Sequence, residues 1–152
     1  RDQALFLPNI NLRSSADSDQ HLVEGYRILE KFITVRMDRS MIHPLAMEQA
    51  ITYSGGVFRE LARIVRTSIG RARRRKATQL EIEDVEWAAM EIRNEYRRIL
   101  DKEDLKLLKN VKDSKKLEFS DRLRSLLQVL ALLEYSDEEN WCDVHPVLRK
   151  IV

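Results

Sequence analysis

The chain of 152 residues holds one cysteine, three prolines and four glycines, and aromatic residues make up only 7% of it. The lone Cys142 excludes an internal disulfide and fits a reducing compartment. Scarce proline and glycine, beside abundant Leu, Ile, Arg, Lys and Glu, favour long helices over a turn-rich sheet protein. No apolar run approaches the roughly 20 residues that a membrane-spanning helix needs, and no segment reads as a signal peptide, so a soluble, cytoplasmic protein is expected. Also missing is any Gly-x-x-x-x-Gly-Lys-Ser/Thr loop: the chain cannot grip a nucleotide's phosphates in that way by itself. The net charge of +2 is too small to imply nucleic acid.

What is present supports a core, since 43% of the residues are hydrophobic. The chain begins Arg1-Asp2-Gln3 and enters an apolar run at once, and it stops at Ile151-Val152. Both ends are therefore expected to be cuts through a longer polypeptide. Residues 4–7, closed by Pro8, read as the end of a buried strand, and residues 9–20 as a polar linker. Helical spacing starts at Leu22, with Tyr26, Leu29 and Ile33 on one face. Pro44 suits the first turn of the next helix, and Gly55 the left-handed residue that ends it.

The following helix is two-faced: Val57, Leu61, Ile64, Val65 and Ser68 form a stripe opposite Arg59, Arg63, Arg66 and Arg73. It runs into Arg71-Ala72-Arg73-Arg74-Arg75-Lys76. Thr78-Gln79-Leu80-Glu81 has capping-box spacing and opens a helix striped by Ile82, Val85, Ala89, Ile92, Tyr96 and Ile99. A shorter helix with Leu105, Leu108 and Val111 precedes a lysine-rich linker. Ser120 caps a helix carrying Leu123, Leu126, Leu127 and Leu130. Two short runs then flank a polar turn, 132–135 and 141–144, and predict a β-hairpin.

Ser54-Gly55-Gly56-Val57-Phe58-Arg59 resembles the sensor-2 motif of AAA+ ATPases, a glycine pair followed by an arginine in the first turn of a helix. Leu80-Glu81-Ile82-Glu83-Asp84-Val85-Glu86-Trp87-Ala88 is similar to the closing helix of that family's lid, with Glu81 where a capping Thr is usual and Thr78 a candidate to cap one turn earlier. The likeness points to the branch with origin-recognition proteins and STAND-type ATPases. Residues 123–151 look like the winged helix that follows the lid in some members.

The resemblance implies a mainly α fold: the end of an ATPase core and linker over 1–20, a helical lid over 21–111, and a small winged-helix-like unit, complete or not, over 112–152. It implies that ATP, with Mg held by a core outside this chain, is sensed by Arg59 near Gly55 and Gly56, with Pro8, Asn9 and Ile10 at the adenine end. The implied partners are that N-terminal core and a neighbouring subunit or another protein; the chain alone is expected not to be catalytic.

Without the family, an arginine in an exposed first turn is ordinarily just solvated, and its charge opposes the helix dipole there. A second reading is a helical DNA-binding module using Arg63, Arg66, Arg71, Arg73, Arg74, Arg75 and Lys76, because clustered cations neutralise phosphates. Cations at a helix C-terminus need no partner, however, and no aromatic residue interleaves this cluster to stack a base. The hairpin is acidic (Glu134, Asp137, Glu138, Glu139, Asp143), which suits protein contact over phosphate. A third reading is a protein-interaction adaptor whose arginine face meets an acidic partner. His145-Pro146 reads as a turn, Glu83-Asp84 as a solvated helix start, and His21 and His43 are too scattered for a metal.

Overall fold

A computed structural model describes residues 8–13, 22–114, 118–136 and 140–152. The strand end expected over 4–7, most of the 9–20 linker, His21 and the hairpin acids Asp137, Glu138 and Glu139 lie outside the described residues.

The molecule is mainly helical, with one small antiparallel hairpin near its C-terminus. Helix α1 (Val23–Thr34) buries Leu29 and Ile33 and leaves Val23 and Ile28 in solvent. Helix α2 (Pro44–Ser54) has proline in its first turn and His43 as N-cap, its ring accepting the Leu45 N–H. Gly55 ends it with φ 61° and ψ 16°, the left-handed residue expected. Helix α3 (Phe58–Arg74) buries Leu61, Ile64 and Ser68, as its stripe predicts, while Arg59, Arg66 and Arg73 face water.

Helix α4 (Ile82–Ile99) begins one turn later than the Thr78 capping box predicts. Its N-cap is Glu81, whose side chain and that of Asp84 make a reciprocal capping box. A local reason is visible. Leu80 is tied into a parallel bridge with Ile42, donating to the Met41 carbonyl at 2.8 Å and accepting from the His43 N–H at 2.9 Å. Leu80 is thus held in extended backbone and cannot open a helix. Val85, Ala89, Ile92 and Tyr96 are buried in turn, whereas Ile82 and Ile99 end the stripe in solvent.

Helix α5 (Lys102–Ser114) starts on mirrored hydrogen bonds between Asp101 and Asp104, and Arg122 clamps both carboxylates. Helix α6 (Asp121–Gln128) is capped by Ser120, whose hydroxyl accepts from the Leu123 N–H at 3.1 Å. Strands β1 (Leu132–Ser136) and β2 (Asn140–Val144) pair antiparallel with Leu132 opposite Val144 and Ser136 opposite Asn140. The hairpin prediction holds. Trp141 stacks on Tyr135 of the opposite strand, ring centroids 4.5 Å apart, and joins Val57, Leu133 and Leu130 in a side cluster.

The main core runs from Leu29 and Leu61 through Val85 and Ile92 to Leu123, Leu132, Val147 and Leu148. Arg93 reaches from α4 to the Val147 carbonyl at 2.7 Å, and Tyr96 to that of Val129 at 2.8 Å. These bonds lock the C-terminal elements onto α4. Among the described residues no helix is long and apolar enough to cross a membrane.

Candidate functional site

The double-glycine turn is where three parts of the chain converge. Gly56 has φ 86°, and a Cβ there would lie 1.8 Å from the Ile10 carbonyl oxygen. Only glycine admits so close a backbone. The two backbones are bonded as well, the Ile10 N–H donating to the Gly56 carbonyl at 2.9 Å. Gly55 is crowded from the other side: a Cβ would meet Leu133 Cδ1 at 2.4 Å, and the Tyr135 hydroxyl donates to its carbonyl. The segment 8–13 is also held to β1, because Asn9 donates its side-chain amide to the Glu134 carbonyl at 2.9 Å. Ile10 and the glycine pair, 45 or more positions apart in sequence, are therefore brought together, with Asn9 beside them on β1, while Pro8 is exposed and only adjoins them in the chain.

Arg59 stands in the first turn of α3, directly after this turn. It is exposed and has no ion pair among the described residues. Val57 at the N-cap offers no side-chain acceptor, and among the described residues no cap hydrogen bond satisfies the N–H groups of this first turn.

Glu60, next in sequence, points the other way. Its side chain is only 3% exposed and meets the fully buried His145 Nε2 at 3.0 Å. The other ring nitrogen, Nδ1, accepts the Val147 N–H at 3.2 Å, so in this arrangement Nε2 carries the proton and donates it to the carboxylate. Burial by itself would raise the Glu60 pKa; the hydrogen bond from His145 and the charges of Arg63 and Arg59 outweigh it and hold the carboxyl below its ordinary value. The pair joins the start of α3 to the 3-10 turn over Pro146–Leu148. His145 does lie in a turn, as predicted. Its partner, 85 positions upstream, is the feature that sequence reasoning missed, and no local pattern could have found it.

Glu83-Asp84 is not the solvated pair that the sequence suggests. Glu83 is exposed, but Asp84 is fully buried and bound to Arg75 by two hydrogen bonds, with Arg71 at 3.6 Å. Burial would raise its pKa, yet Arg75 and the Glu81 N–H bring it below the ordinary aspartate value. The basic cluster is thereby divided. Arg63 pairs with Glu60 and Glu95, Arg71 and Arg75 with Asp84, and Arg74 lies over the Trp87 ring at 4.8 Å. Arg66, Arg73 and Lys76 have no such partner among the described residues.

Cys142 is buried in the hairpin, and loss of solvation together with nearby Glu134 pushes its pKa up to about 11, the opposite of an activated thiol. Among the described residues no three His, Cys, Asp or Glu side chains form a group that could hold a metal. No protein-family model, curated protein or solved structure matches the chain.

Proposed function

We propose that this chain is the nucleotide-sensing lid and C-terminal regulatory region of an AAA+/STAND-like P-loop ATPase. One observation carries the reading: a double-glycine turn that seats an extended incoming segment and presents, in the next turn, an exposed arginine with no ion pair among the described residues. In this reading ATP, with its Mg, sits on a core supplied by another part of the polypeptide, and Arg59 approaches the terminal phosphates. An arginine there stabilises charge that grows on the transferring phosphoryl group and draws the lid closed. Pro8, Asn9 and Ile10 flank the adenine end, held against Gly56 by the Ile10 bond. A closing movement of α3 would pass directly to the hairpin through Tyr135 on Gly55, and to the C-terminal turn through Glu60 and His145.

The test is hydrolysis by the polypeptide that joins this chain to its ATPase core. Arg59→Ala should slow turnover by about tenfold or more, since arginines acting on the transferred phosphoryl group carry large rate effects. Arg63→Ala, which removes only partners of Glu60 and Glu95, should change it less than about twofold. Equal small effects would return Arg59 to the solvated surface. The 152-residue chain alone should hydrolyse no ATP.

A further inference from the structure

The arginine stripe leaves one feature that nucleotide sensing does not use. Between α1 and α3 runs an open groove of about 390 Å³. Its floor is apolar, with partly exposed Phe32, Met37, Val65 and Ile69 above buried Ile33 and Leu61. Its edges carry Arg36, Arg66 and Arg73, and none of the lining residues is acidic. Arg36 is fixed, donating to the Phe32 carbonyl at 2.7 Å and lying 3.9 Å over the Phe32 ring. Arg66 and Arg73 have no ion pair among the described residues, although every other arginine from 63 to 75 is engaged.

Gly70 lies inside α3, where glycine is less favourable than alanine. A Cβ there would meet nothing within 4 Å, so no contact among the described residues calls for glycine. Gly70 lines the groove. Bare backbone at that place lets another backbone come close.

We infer that this groove docks an acidic amphipathic helix from a protein partner. Leu61, Val65, Ile69 and Arg73 follow at four-residue steps along α3, a contact line of about 18 Å at 1.5 Å per residue, enough for some three turns of a partner helix. Apolar side chains one turn apart fill the floor, carboxylates on either side meet Arg66 and Arg73, and the helix backbone passes over Gly70. The occupant is a protein and not nucleic acid because the floor is apolar and its one aromatic ring is already covered by Arg36. A phosphate backbone would satisfy the arginines and leave that floor wet.

The full chain would be panned against a display library of random peptides of about 16 residues, roughly four helical turns. The expected selection is enriched in Asp and Glu around apolar residues spaced three or four apart. The best peptide should bind R66E/R73E at least about tenfold more weakly, the effect of reversing two rim charges. It should also bind G70A more weakly, although G70A itself should be more resistant to denaturant than the wild type. That opposition of signs separates docking from damage to the fold. Selected peptides without acidic enrichment, or peptides indifferent to R66E/R73E and G70A, would overturn the inference. So would an empty selection combined with binding of a labelled DNA duplex that R66E/R73E abolishes, which would assign the face to nucleic acid. None of these variants touches Arg59, so failure here leaves the nucleotide reading standing, and the reverse.

Discussion

Gly56→Ala is the substitution whose cost can be worked most directly from the geometry. The new methyl would stand 1.8 Å from the Ile10 oxygen and 2.9 Å from its carbonyl carbon. Both are backbone atoms, so no side-chain rotation relieves the overlap; either the turn or the 8–13 segment must move. At φ 86° an L-residue is itself unfavourable, by roughly 1–2 kcal/mol. Separation of the two backbones breaks the Ile10–Gly56 bond, about another 0.5–1.5 kcal/mol. The sum, roughly 1.5–3.5 kcal/mol, corresponds to a melting temperature lowered by about 3–14 °C for a chain of this size. Urea unfolding of wild type and G56A measures the loss, and amide exchange locates it. The Ile10 amide should lose protection while those in the middle of α4 keep theirs. A loss under about 0.5 kcal/mol, with the Ile10 amide still protected, would refute the claim that this close approach organises the site.

Two further predictions concern buried charge. Asp84→Ala removes half of a capping box and the partner of Arg75; the cap alone is worth about 1 kcal/mol, and urea unfolding should show at least that loss, whereas exposed Glu83→Ala should cost little. Glu60 and Asp84 both have folded pKa values below their ordinary 4.5 and 3.8, so near those values the unfolded chain binds more protons than the folded one. Their contribution is complete above about pH 4.5 and falls away as pH drops through the depressed folded values. Unfolding midpoints measured down to pH 3 should therefore decline less steeply for E60Q than for wild type, and identical slopes would show that Glu60 is not linked to folding.

Much of the architecture was legible in local sequence. Pro44 and Gly55 bound α2, Ser120 opens α6, and the stripes through Leu61 and Val85 state which faces of α3 and α4 are buried, because capping and helical periodicity act over a few residues. The hairpin was readable for the same reason. The start of α4 was misread because the deciding contact, Leu80 on Ile42, comes from a loop 38 positions away. Asp84 looks like any acid at a helix start until Arg75 and Arg71 close over it.

The candidate site divides in the same way. The glycine pair and Arg59 were visible as a motif, since a left-handed turn and the first turn of a helix are local matters. That Ile10 lies on Gly56, that Tyr135 grips Gly55 and that Glu60 meets His145 are facts of chain packing between distant segments. The basic cluster makes the point most plainly. Sequence counts seven equivalent cations between Arg63 and Lys76, whereas folding engages four of them with Glu60, Glu95, Asp84 and Trp87. Local sequence determined the helices, their caps and their apolar faces. Tertiary structure alone decided which charges are used inside the molecule and which stay without an ion pair among the described residues, because a charge is satisfied by whatever lies within a few ångströms, however far along the chain it comes from.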